Sequence, residues 1–216
     1  MQLNLAAFIF DLDGVITDTA EYHYLSWQRL ADEEGIPFSR QDNEQFRGVS
    51  RRDCLEILLA GRNYPEKRVQ ELLVRKNNYY QDLINEISSA NIIAGVLKLL
   101  KELKQYRIKL AVASASKNAR FVIKKLGIEE IFDTISDGYS VKKTKPAPDL
   151  FLHTAEKLRI KPAACAVVED ASAGIEAALA AGMIAIGIGP AERVGKAHYR
   201  FDLPEEINLS DIIKVN

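Results

Sequence analysis

The sequence is poor in the residues that mark disulfide-stapled or strongly charged proteins. It contains 2 cysteines, 2 methionines and 1 tryptophan among 216 residues, and two cysteines cannot build a disulfide framework. Lys and Arg number 29 against 30 Asp and Glu, which gives a net charge of -1. Such a charge does not attract nucleic acid or an anionic membrane through bulk electrostatics. We therefore expect neither as a partner, and any bound anion must be held locally.

Long apolar runs are also missing. The longest stretch without charge, Ala177 to Ala191, is interrupted by Gly182, Gly187 and Gly189 and is shorter than the ~18 residues that a membrane-spanning helix needs. No basic region precedes the apolar start, so no secretory signal is expected. With 47% hydrophobic and 27% charged residues, the composition is that of a globular protein with a sizeable core. We expect a cytoplasmic, monomeric enzyme or binding protein.

Short apolar runs alternate with helical patterns over most of the chain. Ala6 to Phe10 is an unbroken apolar run, which is typical of a strand covered on both faces in a parallel sheet. Similar runs recur at Leu110 to Ala113, Ile131 to Ile135, Cys165 to Val168 and Met183 to Ile188. Helical patterns with glycine or proline stop signals separate them. The alternation predicts an α/β fold with a doubly wound parallel sheet, whose ligands lie beyond the carboxyl ends of the strands.

The segment after the first run breaks this alternation. Helical patterns run from Thr19 to Glu34, from Ser50 to Gly61 and from Pro65 to Ile87, with no convincing strand between them. We predict that residues 1–16 and 88–216 form an α/β core domain, and that residues 17–87 form an inserted all-helical cap domain. The insertion leaves directly after the first strand, so its two connections would lie over the site and could act as hinges.

Acidic residues follow two of the predicted strands. Asp11 and Asp13 come directly after the first strand and lie two residues apart, so both carboxylates can face the crevice above the sheet. Glu169 and Asp170 lie at another strand end. Carboxylates gathered in this way repel one another unless a cation separates them, and a hard divalent ion such as Mg2+ prefers oxygen ligands. The alternative is that these residues only cap turns and helices.

Two further segments could bind an anion. Ser114-Ala115-Ser116-Lys117-Asn118 lies between a strand end and a helix start, where small hydroxyl residues and backbone N–H groups can bind phosphate. Lys145 precedes a Pro-Ala-Pro turn that restrains its position. Taken alone, the first segment is more often an ordinary helix cap, and Lys145 is more often a solvated surface lysine.

Together these segments resemble the haloacid dehalogenase superfamily. Its four motifs appear in order as Asp11-Leu12-Asp13-Gly14, Ser114, Lys145 with its following prolines, and Glu169-Asp170. Within the superfamily, the segments Gly48-Val49-Ser50-Arg51 and Arg75-Lys76-Asn77 are similar to the β-phosphoglucomutase family. The resemblance implies a Rossmann-like core and a Mg2+-dependent isomerase. Its substrates would be sugar phosphates, with β-D-glucose 1-phosphate and β-D-glucose 6-phosphate interconverted through β-D-glucose 1,6-bisphosphate.

The resemblance also implies a role for each matching core residue. Asp11 would be the nucleophile that becomes an aspartyl phosphate, and Asp13 would be the general acid and base. The metal would be bound by the side chains of Asp11 and Asp170 and by the backbone carbonyl of Asp13, with Glu169 as a direct ligand or beside one. The core residues expected to bind the transferred phosphate are Ser114, Ala115 and Lys145.

A mutase needs a second phosphate site, because its bisphosphate must bind in two orientations. By the resemblance, Arg51 would bind the distal phosphate together with core residues Ser116, Lys117 and Asn118. The hinge residue Thr19, with His23 and Lys76, would couple substrate binding to the placement of Asp13. The other residues of the insertion expected at the substrate are Trp27, Gly48, Val49 and Ser50.

Simpler explanations exist for several of these residues. On physical grounds alone His23 is more often a core histidine, Trp27 is more often part of the cap core, and Lys76 could face solvent. Two positions depart from the family pattern: Arg52 replaces an acidic residue, and Cys54 replaces a small hydroxyl residue. Arg52 either adds a cation beside the distal phosphate or points to solvent.

Two other functions remain open at this point. The nearest is a sugar phosphatase of the same superfamily, in which water replaces the second hydroxyl group. Arg51 and the pair Lys117-Asn118 favour the mutase, because hydrolysis of a monophosphate needs no distal site. A signalling receiver domain would also use an aspartyl phosphate, but such domains are smaller and lack a helical insertion.

Overall fold

The computed structural model describes residues 4–213. Within that range one six-stranded sheet has the order β3-β2-β1-β4-β5-β6, and every neighbouring pair is parallel. The strands are β1 (Ala7–Phe10), β2 (Lys109–Ala113), β3 (Thr134–Ser136), β4 (Cys165–Glu169), β5 (Ile184–Ile188) and β6 (Tyr199–Phe201). The order reverses beside β1, which creates a crevice at the carboxyl ends of β1, β2 and β4.

The α-helices in the described part of the chain fall into two groups. Those of the insertion are α1 (Ala20–Glu33), α2 (Arg40–Asn43), α3 (Arg51–Leu59) and α4 (Glu66–Ile84). Those that accompany the sheet are α5 (Val96–Gln105), α6 (Ala119–Lys125), α7 (Asp149–Leu158), α8 (Ser172–Ala180), α9 (Ala191–Val194) and α10 (Leu209–Ile212). None of the described helices has both the length and the apolar content needed to cross a membrane. The predicted α/β fold with a doubly wound parallel sheet is confirmed.

The buried side chains of β1 explain why the sheet centre reads as an unbroken apolar run. Phe8 and Phe10 pack into the cluster on one face of the sheet, whereas Ala7 and Ile9 pack into the cluster on the other. All four residues are at most 1% exposed. Each large apolar side chain buried in this way stabilises the fold by roughly 1.5–3 kcal/mol. Burial on both faces fixes the position of the strand end that carries Asp11.

The insertion has an apolar cluster of its own. Trp27 of α1, Leu55 of α3 and Leu72 of α4 lie in one buried cluster that contains none of the strand residues. The end of α4 belongs elsewhere, since Tyr80 and Ile84 pack into a cluster with the sheet. The insertion is therefore packed within itself and also rests on the α/β core through α4.

The two segments that join the insertion to the sheet lie side by side. Thr17 forms an isolated antiparallel bridge with Ile92, and its Oγ1 donates a hydrogen bond of 2.8 Å to the Asn91 carbonyl. The Ile93 N–H donates to the Ile16 carbonyl at 2.9 Å. Because both crossings meet directly beyond β1, a movement of the insertion would be transmitted to the turn that carries Asp13.

Three local predictions were incomplete. The run Ile131 to Ile135 does not form a strand at its start: residues 129–131 form a short 3-10 turn, and β3 begins at Thr134. Strand β6 was missed because Tyr199–Phe201 lies at the sheet edge, is short and has a central exposed arginine. Helices α2, α9 and α10 were missed because four residues are too few to show helical periodicity.

Candidate active site

The turn after β1 places two carboxylates at the sheet edge. The Asp11 N–H donates to the Val168 carbonyl of β4 at 2.9 Å, which continues the pairing of the strands. The chain then folds back, and Gly14 has a φ of +84°. A side chain at Gly14 would collide with the Asp170 carboxylate, so this position requires glycine for its conformation and for the close approach. The turn therefore holds Asp11 and Asp13 beside the end of β4.

Lys145 neutralises part of this acidic group. Its Nζ donates to Asp11 Oδ1 at 2.5 Å and to Glu169 Oε2 at 2.8 Å, and its side chain is fully buried. Burial by itself would lower the pKa of Lys145, but Asp11 and Glu169 raise it above its ordinary value. The ammonium group therefore stays charged against Asp11.

Both carboxylate oxygens of Glu169 accept hydrogen bonds. One carboxylate oxygen accepts from Lys145, and the other accepts from the N–H groups of Asp170 and Ala171 at 3.2 and 3.1 Å. A side chain at Gly174 would collide with this carboxylate. These contacts fix Glu169, while its neighbour Asp170 lines the cavity between the insertion and the core.

Three carboxylates could bind a divalent cation. Asp11, Glu169 and Asp170 each offer an oxygen, and these atoms all lie within 4.8 Å of one another. Burial, followed by the negative charge of Asp11, raises the pKa of Asp170 to about 7. Hard carboxylate oxygens are the donors that divalent cations of the Mg2+ and Ca2+ type prefer. The donor set therefore fits such a cation, and the Asp13 carboxylate is not one of the three.

The Asp13 side chain contacts the insertion instead. The Thr19 hydroxyl donates to Asp13 Oδ1, and His23 Nε2 lies 3.7 Å from the same oxygen. Burial and the charge of Asp11 raise the pKa of Asp13 to about 6. A carboxyl group with this pKa can both give and accept a proton near neutral pH.

His23 and Lys76 form a pair on α1 and α4. Lys76 Nζ lies 2.8 Å from His23 Nδ1, and the His23 ring stacks on Tyr80 at 3.9 Å between centroids. Lys76 is only 1% exposed, so it does not face solvent. Burial and the neighbouring Arg51 lower the pKa of Lys76 to about 7, and burial followed by Lys76 lowers the pKa of His23 well below its ordinary value.

One cavity between the insertion and the core receives most of the predicted residues. From the core it is lined by Asp11, Asp13, Ser114, Ala115, Ser116, Lys117 and Asp170. From the insertion it is lined by Ala20, His23, Trp27, Asn43, Phe46, Arg47, Gly48, Val49, Arg51, Cys54 and Lys76. Asp11 and Asp13 thus face the same cavity, with Arg51 contributed by the insertion.

Two predicted binding residues have partners that place them differently. Ser50 caps α3, since its Oγ accepts from the Asp53 N–H at 3.2 Å. Asn118 Nδ2 donates to Asn77 Oδ1 of α4 at 3.0 Å, so its side chain joins the core to the insertion. Neither belongs to the cavity lining given above, and the predicted binding residues Thr19 and Lys145 are also absent from it. Thr19 and Lys145 instead bind the carboxylates of Asp13 and Asp11. Trp27 contributes to the lining but is 2% exposed and belongs to the apolar cluster of the insertion.

The two departures from the family pattern also have clear positions. Arg52 binds Glu56 at 2.6 Å and Glu66 at 2.7 Å on the exposed side of the insertion, which supports its solvent-facing interpretation. Cys54 is buried at the cavity wall, with Sγ 3.6 Å from the Phe46 carbonyl and 3.7 Å from the Val49 carbonyl. Its contacts are therefore with the backbone of the loop that carries Gly48.

Comparison with known proteins decides the family. A sequence model of haloacid dehalogenase-like hydrolases matches residues 5–182, which is most of the chain. The chain belongs to the haloacid dehalogenase-like hydrolase family. This assignment agrees with the resemblance inferred from the four motifs.

Individual members of the family cover nearly the whole chain. A β-phosphoglucomutase of Bacillus subtilis strain 168 is 46% identical over 189 residues, covering 86% of this chain and 84% of the relative. A crystal structure of β-phosphoglucomutase from Clostridium difficile superposes with a TM-score of 0.92 at 41% identity, covering 96% of this chain and 95% of that one. A phosphorylated carbohydrates phosphatase of Thermotoga maritima is 32% identical, covering 83% of this chain and 82% of the relative.

Sequence reasoning missed part of this haloacid dehalogenase-type site. Arg47 lines the cavity, and its Nη1 donates to Asp170 Oδ2 at 3.0 Å. Phe46 and Asn43 also line the cavity. No local sequence signal distinguishes these three residues from exposed ones, since their places depend on how the insertion sits over the sheet.

Proposed function

We propose that this enzyme interconverts β-D-glucose 1-phosphate and β-D-glucose 6-phosphate through β-D-glucose 1,6-bisphosphate, which is the reaction of a β-phosphoglucomutase. The observation that carries the proposal is the position of Arg51, which lines the same cavity as Asp11, Ser116 and Lys117. Arg51 and Lys117 supply positive charge for the second phosphate of a bisphosphate, while Lys145 supplies it at Asp11 for the first. The similarity to two proteins named β-phosphoglucomutase supports the same reaction.

Asp11 is the proposed nucleophile. Its carboxylate oxygen attacks phosphorus, the bond between phosphorus and the sugar oxygen breaks, and an aspartyl phosphate forms. The contact of Lys145 with Asp11 at 2.5 Å keeps a fixed positive charge beside the reacting group. Ser114 and Ala115, which line the cavity, bind the transferred phosphate in this proposal.

Asp13 is the proposed proton carrier. It protonates the departing sugar oxygen in one half-reaction and takes the proton of the attacking sugar hydroxyl in the other. Thr19 and His23 hold its carboxyl group at the cavity. Because His23 is bound to Lys76, the position of α4 is linked to the position of Asp13.

Mg2+ is the proposed cofactor. It would be held by the side chains of Asp11 and Asp170 and by the backbone carbonyl of Asp13, with Glu169 beside them. When bound, such an ion neutralises negative charge on a transferring phosphoryl group. Glu169, whose oxygens are all bound to Lys145 and backbone N–H groups, would orient the group more than bind the ion.

The remaining residues would bind and enclose the substrate. Arg51, Ser116 and Lys117 would bind the distal phosphate, with Asn118 bringing α4 to the core and Ser50 fixing the start of α3. Trp27, Gly48 and Val49 would form the wall beside the sugar. Contacts of this kind decide which sugar fits, whereas the phosphoryl chemistry depends on the core residues.

The domain division is part of the same proposal. Residues 1–16 and 88–216 would form the core domain and residues 17–87 the cap, with the paired segments at Thr17 and Ile92 as the hinge. A closed cap excludes water from the aspartyl phosphate, so that the second hydroxyl group of the sugar reacts instead. We propose that the enzyme works as a monomer, because the residues that line the cavity come from one chain. We also propose that it acts in the cytoplasm.

A side-by-side assay tests the function. α- and β-D-glucose 1-phosphate are each supplied with Mg2+ and a trace of β-D-glucose 1,6-bisphosphate, and both glucose 6-phosphate and free phosphate are measured. We expect the β anomer to be isomerised faster than phosphate is released. Release faster than isomerisation would favour a sugar phosphatase, the function named for the Thermotoga maritima relative.

A further inference from the structure

Four charged residues form a continuous chain across the gap between cap and core. Arg193 Nη1 of α9 lies 3.2 Å from Glu44 Oε2, and Glu44 Oε1 lies 3.1 Å from Arg47 Nε. Arg47 Nη1 then lies 3.0 Å from Asp170 Oδ2. We call this set the ionic chain. Glu44 and Arg47 belong to the cap, whereas Arg193 and Asp170 belong to the core. The cap segment is therefore bound to the core through both of its charged residues.

The contacts of the ionic chain differ in strength because they differ in exposure. The Asp170 side chain is 7% exposed and that of Arg47 is 24% exposed, whereas Glu44 is 50% exposed. Exposed ion pairs contribute little, and sheltered ones lose much more when one partner is removed. The contact between Arg47 and Asp170 therefore carries most of the attachment, and Arg193 supports it from the surface.

The carboxylate at the end of the ionic chain has a second use. Asp170 also belongs to the group of three carboxylates whose oxygens lie within 4.8 Å of one another. Its carboxylate fills the space that a side chain at Gly14 would need, so it lies against the turn that carries Asp11 and Asp13. A guanidinium group and a divalent cation on this one carboxylate would repel each other strongly at such short range.

We propose that Arg47 competes with a divalent cation for the Asp170 carboxylate, so that the cap is attached more firmly to the core without the cation than with it. The inference rests on the metal site proposed above. Coupling of this kind is reciprocal: if the cation weakens the contact of Arg47, then Arg47 weakens the binding of the cation by the same factor. Arg47 is thus a positioning residue of the cap that acts through Asp170.

Cation binding without any sugar phosphate tests the competition. Mn2+ is titrated into the unmodified enzyme and into Arg47→Gln, free Mn2+ is followed by electron paramagnetic resonance, and Mg2+ is measured by displacement. Typical coupling energies correspond to about fivefold or more in affinity, so we expect Arg47→Gln to lower the Kd for both ions about fivefold. Arg52→Gln is the matched control, because it removes the same charge from an arginine bound to Glu56 and Glu66; its Kd should be unchanged.

A second variant, Arg193→Gln, tests the inference in case Arg47→Gln does not fold. Arg193→Gln leaves Arg47 in place but removes both the partner of Glu44 and a positive charge that acts on Asp170, so we expect the Kd to fall in the same direction by a smaller factor. A Kd that is unchanged or higher in both variants would overturn the inference, since a higher value means that Arg47 orients Asp170 for the ion.

The same titration separates this inference from the proposal on which it rests. If the unmodified enzyme binds neither Mn2+ nor Mg2+, the metal site itself is wrong and the competition falls with it. If it binds both ions and all variants bind alike, only the role of Arg47 is wrong. Isomerase activity does not enter either result.

Discussion

At the scale of single residues, the site is a set of charges whose neighbours fix their protonation. Asp13 is beside Asp11 on the core and accepts a hydrogen bond from Thr19. Burial and the charge of Asp11 raise the pKa of Asp13 to about 6, while Lys145 is held as an ammonium ion against Asp11. Two carboxylates in one turn thus acquire different partners, which suits one as nucleophile and the other as proton carrier.

Replacing Asp13 tests the proton transfer. Asp13→Asn keeps an oxygen that can accept from Thr19 but removes the titrating group, so we expect kcat to fall by about 10²–10⁴-fold, the range of general acid–base catalysis. The measurement is steady-state isomerisation of β-D-glucose 1-phosphate. Thr19→Val is the companion variant, because it keeps the carboxyl group and removes its hydrogen bond. A decrease of less than tenfold in Asp13→Asn would place the proton carrier elsewhere.

Replacing Arg51 tests the distal phosphate site. Removing a charge-assisted contact costs about 1.5–3 kcal/mol, so Arg51→Ala should weaken β-D-glucose 1,6-bisphosphate binding about 10- to 100-fold. The bisphosphate concentration needed for half-maximal isomerisation reports this loss. The neighbouring Arg52→Ala provides the control, since Arg52 is bound to Glu56 and Glu66. Equal effects of the two substitutions would contradict the assignment of Arg51.

At the scale of elements, α1 and α4 are joined by a group of ionic contacts. Arg75 of α4 binds both Glu33 and Glu34 at the end of α1, and the Tyr79 hydroxyl donates to Glu33 at 2.6 Å. The hydrogen bonds of Tyr79 and Arg75 lower the pKa of Glu33 to about 2. These contacts set the relative position of the two helices that carry His23 and Lys76.

The lowered pKa of Glu33 predicts how the stability of the enzyme depends on pH. A carboxylate with a depressed pKa in the folded state stabilises above its ordinary pKa of 4.5 and loses this effect as the pH falls toward about 2. Glu33→Gln should therefore melt below the unmodified enzyme at pH 7, and the difference in Tm should shrink as the pH falls from 5 to 3. Glu86→Gln, at an exposed carboxylate outside this group, should show no such pattern. A difference in Tm that is constant with pH would contradict the prediction.

At the scale of the whole molecule, the cap and the core meet at two adjoining segments and at the cavity. Thr17 Oγ1 donates to the Asn91 carbonyl at 2.8 Å between the two crossings, and Thr17 is 1% exposed. This contact lies beside the turn that carries Asp13. It is therefore placed to keep the cap aligned over Asp11, where the proposed aspartyl phosphate would have to be shielded from water.

Loosening this contact should favour hydrolysis. Thr17→Val removes the hydroxyl at nearly constant volume and leaves the Asn91 carbonyl without its donor, so we expect the ratio of phosphate release to isomerisation to rise several-fold. Both products are measured in the same reaction. Thr154→Val makes the same chemical change within α7, where Oγ1 donates to the Leu150 carbonyl, and should leave the ratio unchanged. A ratio that rises equally in both variants would reflect general destabilisation instead.

The sequence allowed a better prediction of which residues form the site than of where their side chains lie. Asp11, Asp13 and Asp170 belong to short motifs at strand ends, where a buried apolar run next to polar residues is visible in the chain itself, and Lys145 is marked by the prolines that follow it. Asn118 and Ser50 were predicted at the substrate, yet their side chains bind α4 and cap α3. Arg47 was missed, because nothing local distinguishes a cation that reaches Asp170 from one that is solvated.

The sequence by itself determined the α/β class and the helical insertion, because hydrophobic period, glycine stops and strand-end acids are local features of the chain. Only the tertiary structure decided which distant groups meet. Lys145 binds Asp11 across 134 positions, and Arg47 binds Asp170 across 123. The strand order sets β1 beside β4, and the loop between β3 and α7 brings Lys145 to Asp11. The insertion folds back over the sheet and brings Arg47 to Asp170. Such a meeting depends on burial of the whole core, which no short segment encodes.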